Sequence, residues 1–437
     1  MSMVTSNSYL ESLLQGQPQL PPSPLAWFNQ LRASAVDRAG MLKLPTTRDE
    51  DWRFTDISPL AKLSFQPARA VSTLQAPDVE RFYLDEAAIR LVFVDGAYMP
   101  QFSTQPNKAR DLGLTVTDLS STAVSSHGAV IEPHLGRHAG FQDNLFAALN
   151  TAFLHDGALV IVPRNAVVDA PVHVLFIATQ PEVASHPRCL LIAESGSAVT
   201  IVEDYVTLQE GAYVTNAVTE FVLEGNAQVN HVRIQRDSTQ AFHIGHCAVS
   251  LAHASRYRSV SVALGARISR YDLNARLAAE GAECAIDGLA LISGRQLADT
   301  HTCIDHAQPD GISRQLHKCI VDGAAHAVFN GKIMVRPGAQ RTDSTQSSRN
   351  LLLNAKARVD TKPQLEIFAD DVKCAHGATV GQLDIEELFY LKSRGLSELA
   401  ARNLLTYAFG AEIIDRIPVA SLKQRLEQTV FEQTKRS

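Results

Sequence analysis

Six cysteines in 437 residues, none of them in a C-x-x-C pair, do not make a disulfide framework and argue against a closed structural zinc site. Long hydrophobic runs are missing too: no apolar stretch approaches the ~20 residues of a membrane span. The opening MSMVTSNSYLESLLQGQPQLPP has no charged head followed by an apolar core, so no secretory signal is read and a cytoplasmic location is expected. Positive charge is not in excess. Forty Lys and Arg stand against 46 Asp and Glu, a net charge of −6, which gives no pull toward nucleic acid or an acidic membrane. Familiar enzyme signatures are absent. In NGKI (Asn330–Ile333) the preceding glycine, Gly323, lies eight residues before Gly331 where a P-loop needs five, and no Ser or Thr follows Lys332. No G-x-S-x-G, H-E-x-x-H or dinucleotide fingerprint occurs. Any ATP hydrolysis the protein needs must come from another chain.

What is present is an ordinary globular composition, 45% hydrophobic and 20% charged, long enough for about two to four domains. Residues 1–130 read as a mixed, partly helical domain. SYLESLL and SPLAWFNQLRASAVDRAG have amphipathic spacing and are separated by the proline-rich QPQLPPSP. Ser23 is expected to cap the second helix, with Pro24 at its first position and Gly40 at its end. Residues 131–380 differ. Short β-rich runs such as ALVIVP, VHVLFIAT and AVTIVEDYV alternate with small turns at Asn165, Gly196, Gly225, Ala254, Gly281, Gly323 and Asn354. The turn spacings run from 27 to 31 residues apart from one of 42, which holds QPDG. A near-constant period of about 30 in β-rich sequence predicts a solenoid whose coils stack. A β-sandwich with accidental spacing is the alternative. Val260, Val262 and Leu264 share one face of such a strand.

Residues 381–437 read as a C-terminal helical domain. Asp384 and Glu387 form a capping-box pattern, Gly395 suits a helix end, and Ser397 opens a second helix that Gly410 closes. In it Leu399, Leu404, Leu405 and Ala408 form an apolar stripe suited to internal packing or to a partner. Pro418 starts a third segment with Leu422, Leu426 and Val430 at spacing four.

Ligand-type chemistry concentrates in Cys/His pairs two residues apart: His301/Cys303, with His306 close by, His317/Cys319, and Cys374/His376. On a strand, such residues project from one face about 6.6–6.8 Å apart, which is half of a tetrahedral metal site. For the first two pairs, small buried cysteines are the expectation. The third pair ends PQLEIFADDVKCAHG. Read as one extended segment, it puts Leu365, Ile367 and Ala369 on an interior face. Glu366, Phe368, Asp370, Val372, Cys374 and His376 then lie on the other, unless ADD is a corner that resets the phase. An outward face mixing Phe368, Asp370 and Val372 with a thiol and an imidazole suggests a surface covered by a partner.

The stretch NGKIMVRPGAQRTDSTQSSRNLLLNAKARVDTKPQLEIFADDVKCAHGATVG (Asn330–Gly381) closely resembles the SufB/SufD family of iron–sulfur cluster assembly proteins. FYLKSRGLSELAARNLLTYAFGAEII and DEDWRFTDISPL (Asp49–Leu60) resemble the SufD branch. In the SufB branch an acid-rich segment replaces DVKCAHGAT. The resemblance implies a mainly β protein, with a right-handed parallel β-helix core between helical N- and C-terminal domains. It also implies pairing with a SufB-type paralogue and docking of a SufC-type ABC ATPase through the C-terminal helices. The family's functional histidine and its neighbouring cysteine fall on His376 and Cys374. These two would contribute to the environment of a transient iron–sulfur cluster or iron, shared with SufB, with nothing tightly bound to this chain alone. The implied role is a non-catalytic scaffold subunit. A homodimer in the absence of partners is plausible, since an open coil edge can pair with itself. Competing readings are a homodimeric zinc-binding solenoid and a β-helical polysaccharide lyase or hydrolase. The hydrolase would need two carboxylates about 5–9.5 Å apart.

Overall fold

The computed structural model describes residues 8–16, 20, 22–68, 73–124 and 127–436. Gln17, Pro18, Gln19 and Pro21 of the proline-rich loop, and the first seven residues, lie outside them. From Arg188 to Gly381 the chain alternates between two sheets, giving one strand to each per coil. One sheet runs in the order Arg358–Ile367, His326–Val335, Leu297–His306, Ile268–Leu277, Phe242–Leu251, Val214–Leu223, Arg188–Ala193, Ala158–Val162, Thr115–Asp118. The other runs Val372–Gly381, Thr342–Leu352, Ile312–Val321, Glu283–Ile292, Arg256–Ala263, Gln228–Arg236, Ala198–Thr207, Val172–Ala178, Ile89–Val94, Ala97–Tyr98. Every pairing between successive coils is parallel, and only the two short outermost strands at the N-terminal end pair antiparallel. The result is the predicted parallel β-solenoid of about eight coils, with helices at both termini.

The period has a visible cause at one corner of the coil. Asn165, Gly196, Asn226, Ala254, Gly281, Asp310 and Arg341 all adopt positive φ, one per coil. The corner also zips vertically: Gly281 N–H donates to the Pro309 carbonyl at 3.2 Å and Asp310 N–H to that of Gln340 at 2.9 Å. A left-handed residue lets the chain change sheets sharply, and Gly, Asn and Asp bear that conformation most cheaply. The sequence interval of 42 is thereby explained. Asp310, inside QPDG, is the next turn of this corner, whereas Gly323 and Asn354 belong to a different corner. At the Gly225 turn the left-handed residue is its neighbour Asn226.

Parallel, in-register stacking brings equivalent residues into columns along the lumen. Val199, Val229, Tyr257, Cys284, Ser313, Ser344 and Cys374 form one. Helices cover the outer faces. Ile413, Ile414, Leu422, Leu426 and Val430 pack on Val202, Val232, Val260, Val262, Leu264, Leu289 and Ile320. The Val260/Val262/Leu264 face is therefore the one beneath the C-terminal helices. The helix Glu398–Ile414 continues through Gly410, which does not close it. A Cβ there would meet Ile320 Cδ1 at 3.4 Å and Leu289 Cδ2 at 3.6 Å, so the glycine brings helix and sheet close. The stripe assigned to this helix also differs: Leu399 and Leu404 are exposed, while Ala401, Asn403, Thr406 and Gly410 are buried. Ser397 caps the helix through Ala400 N–H, and Asp384 caps Ile385–Ser393 through two amides.

At the other terminus, the helix Ala26–Met41 starts two residues later than expected, with no side-chain cap, and Gly40 lies within it. Ser23 instead accepts from Leu25 N–H at 3.2 Å. This helix packs on Leu145–Ala152, which lies against the first sheet through Phe146, Val214, Phe242 and Ile244. A buried ion pair pins that cover. Fully buried Arg188 donates to Glu220, and Glu220 also accepts from the amides of Gly136, His138 and Ala139 at 2.8–2.9 Å.

Candidate functional site at the open end of the solenoid

The last coil leaves each sheet with a free edge among the described residues, along Arg358–Ile367 and Val372–Gly381. One coil earlier the lumen is sealed. Phe329, Ile333 and Val335 from one sheet and Thr342, Ser344, Gln346 and Ser348 from the other are at most 1% exposed. Their register partners Thr361, Leu365, Ile367, Val372, Cys374, His376 and Ala378 are half-buried or exposed. The fold therefore stops with its interior open.

The corner at Phe368–Asp371 resets the phase, which corrects the single-segment reading of PQLEIFADDVKCAHG. Leu365, Val372 and Cys374 pack against one buried group, Ile333, Val335, Ala339 and Ala369. Cys374 and His376 thus face the mouth of the lumen, on the same side as Leu365 and Ile367, not the outer surface of the sheet. Phe368, 60% exposed, and Asp370 stand at the exposed corner, and Val372 points inward. Burial pushes the Cys374 thiol above its ordinary range, Asp343 adds to this, and the Ser344 amide opposes it.

Behind this mouth the lumen is polar. His306 Nε2 lies 2.9 Å from Ser313 Oγ, which lies 2.6 Å from Ser344 Oγ, in the column that ends at Cys374. In the next column, Gln315 Oε1 accepts from Thr302 Oγ1 at 2.8 Å, and Gln346 Nε2 donates to the Gly331 carbonyl at 3.1 Å. That column ends at His376.

The other two Cys/His pairs also keep both members on one face. His317 and Cys319 point inward and are buried, with the imidazole stacked on Phe329 at 4.3 Å between centroids. Burial lowers His317 to about 3 and raises Cys319 to about 12. His301 and Cys303 point outward, into a cavity of about 360 Å³ under the strap that carries Trp52. His301 Nε2 is held 2.9 Å from Asp299. Arg270 lies 3.9 Å over the Trp52 ring, bonded to Asp272, Asp299 and the Asp51 carbonyl. The DEDWRF segment thereby straps the N-terminal region to the solenoid. Among the described residues no group of three or more His, Cys, Asp or Glu could hold a metal ion. Cys374 and His376 supply two donors where a tetrahedral centre needs four.

A second exposed feature follows the site in sequence. Ile385, Phe389 and Tyr390 project from the helix Ile385–Ser393, more than half exposed, with Leu399 and Leu404 on the next helix. Among the described residues no helix is long and apolar enough to cross a membrane.

Residues 176–409 match the SUF system FeS cluster assembly SufBD core domain, and residues 3–174 match the SufBD protein N-terminal region. A Synechocystis protein described as an iron–sulfur cluster assembly SufBD family protein is 43% identical over 411 residues, 91% of this chain and 89% of its own. The iron–sulfur cluster assembly protein SufD of Escherichia coli is 33% identical over 387 residues, 88% of each chain. SufD of Bacillus subtilis is 27% identical over 423 residues, 94% of each.

Proposed function

This chain belongs to the SufBD family of the SUF iron–sulfur cluster assembly system, and on that premise we propose that it is a non-catalytic scaffold subunit. It pairs through the free edges of its last coil with a SufB-type paralogue. Its C-terminal helices dock a SufC-type ABC ATPase, which supplies the ATP hydrolysis. Cys374 and His376 contribute two ligands to iron or a nascent cluster, the cargo of the site, and the paralogue completes the set.

The observation that carries this reading is the open mouth of the solenoid. Two unpaired sheet edges are a template for strand pairing with another chain. The thiol and imidazole at that mouth are too few to hold a metal alone, so the site is built to be completed from outside. The second surface, Ile385, Phe389 and Tyr390, suits the ATPase because it sits one short corner beyond the last strand. A nucleotide-driven movement of these helices is transmitted directly to the edge that holds Cys374 and His376.

Anaerobic tag purification from native cells tests the partners. A SufB-type paralogue and an ATPase are expected in fixed ratio, and recovery of the chain alone under cluster demand would sink the scaffold reading. His376→Ala is expected to abolish cluster assembly while the complex still purifies intact. Unchanged assembly would remove His376 from the site.

A further inference from the structure

Gln346 is buried in the lumen with its carboxamide laid across to the opposite sheet, where Nε2 donates to the Gly331 carbonyl at 3.1 Å. That crossing depends on residue 331 being glycine. A Cβ at 331 would stand 1.8 Å from Gln346 Nε2 and 2.7 Å from its Cδ. Fixing Nε2 in this way also fixes Oε1, which is buried and has no hydrogen-bond partner among the described residues. A buried carbonyl oxygen left without a donor is costly, so its persistence needs a reason. The register supplies one. The residue beside Gln346 on the next strand is His376, about 4.8 Å away in the strand-to-strand direction. Across the lumen from His376, the register partner of Gly331 is Pro363, which has neither a side-chain acceptor nor a backbone N–H. Ser348 Oγ, to one side, already accepts from Asn350.

We propose that Gln346 is the positioning residue for His376, its free Oε1 accepting a hydrogen bond from the inward ring nitrogen of the imidazole. An imidazole that donates one N–H inward presents the lone pair of its other nitrogen outward, toward the mouth of the solenoid. The partner of a ligating histidine's second nitrogen sets its tautomer and ring plane, and its loss commonly costs 10–100-fold in metal affinity or activity. Gly331 acts one step further back, by leaving room for the carboxamide that does the positioning. The inference rests on the reading of His376 as a ligand for its consequence in cluster assembly, but the hydrogen bond itself can be tested without that reading.

The test uses the full chain with ¹⁵N-labelled histidine, at a pH where His376 is neutral, with its imidazole signals assigned by their loss in His376→Asn. The wild type is expected to show a single tautomer. Gln346→Met, close in length and without the carbonyl, and Gly331→Ala, which displaces the carboxamide, are each expected to give mixed tautomers at His376 with the fold intact by circular dichroism. Cluster assembly by the intact complex is expected to fall about 10–100-fold in both variants. A wild-type tautomer mixture, or a single tautomer that survives both substitutions, overturns the proposal. If His376→Ala leaves assembly unchanged while the tautomer responds to Gln346→Met, the hydrogen bond stands and the ligand reading alone falls.

Discussion

Glu220→Ala probes how the N-terminal cover is held on the solenoid. Glu220 is fully buried and closes four interactions at once: the guanidinium of Arg188, itself fully buried, and three backbone amides from the loop at Gly136–Ala139. Removing the carboxylate strands a buried cation, which costs about 3–5 kcal/mol when one partner of a buried pair is deleted. The stranded amides add about 1 kcal/mol or more each unless water enters. Among the described residues Arg188 then keeps Asn150 Oδ1 at 3.0 Å and Thr151 Oγ1 at 3.3 Å. The total expected loss is therefore at least ~4 kcal/mol. It should be local, because the amides and Asn150 belong to the cover while Glu220 and Arg188 belong to the sheet. Urea unfolding should show a weakened first transition. Hydrogen exchange should rise over residues 128–152 and the helix Ala26–Met41, with Ile268–Val335 unchanged. The pair also sets an acid dependence. Burial alone would raise the Glu220 carboxyl, but Arg188 and the amides outweigh it and hold the group below its ordinary value. Its contribution is thus present above the unfolded carboxylate range near ~4.3 and is lost as pH falls through the lower folded value. A loss below ~1 kcal/mol, or exchange that rises evenly over all coils, would refute the reasoning.

Leu422→Ala removes a fully buried anchor between the C-terminal helices and the second sheet and is expected to cost about 2–5 kcal/mol in urea unfolding. Ala254 holds φ of 51° at the left-handed corner, so Ala254→Gly is expected to stabilise the chain by about 0.5 kcal/mol in the same assay. Phe389→Ala, on a residue 73% exposed, is expected to leave stability within about 0.5 kcal/mol while co-purification of the ATPase falls. Burial holds His186, His306 and His317 down at about 3, 4 and 3. Below ~6.5 the unfolded chain binds protons that the folded chain refuses, so stability is full above that pH and falls steadily toward pH 4. His317→Gln should flatten this slope by about 1.4 kcal/mol per pH unit.

Much of the architecture is legible along the chain because solenoid physics is local. Each coil repeats one corner, and a corner that needs positive φ leaves Gly, Asn or Asp at a fixed interval, as at Asn165, Gly196, Gly281 and Asp310. Where the chain uses Ala254 or Arg341 in that conformation, residue type alone gives no warning. The helix caps Asp384 and Ser397 were readable for the same reason, since a cap is an interaction across three residues. Gly410 does not end its helix as its residue type suggests, because its role lies in packing against Ile320, about ninety positions earlier.

The Cys374/His376 pair shows where reading along the chain stops. Spacing of two places both on one face of a strand, and motif resemblance singles out the residues. Which face they take depends on the corner at Phe368–Asp371, and a one-residue change of phase turns every side chain over. Gln346 is a sharper case. It lies one period before His376, so the repeat could have pointed to it, but its carboxamide matters only because Gly331, on the opposite sheet, lets it cross the lumen. The periodic fold, the helical ends and the family can be read along the chain, because these follow from interactions within a coil or between residues three or four apart. That the thiol and imidazole look into an unsealed lumen, and that the helix stripe at Leu399 faces outward, follows from how the coils, sheets and helices pack. Direction and burial are set by what stacks above and across, and those neighbours lie a coil or a sheet away.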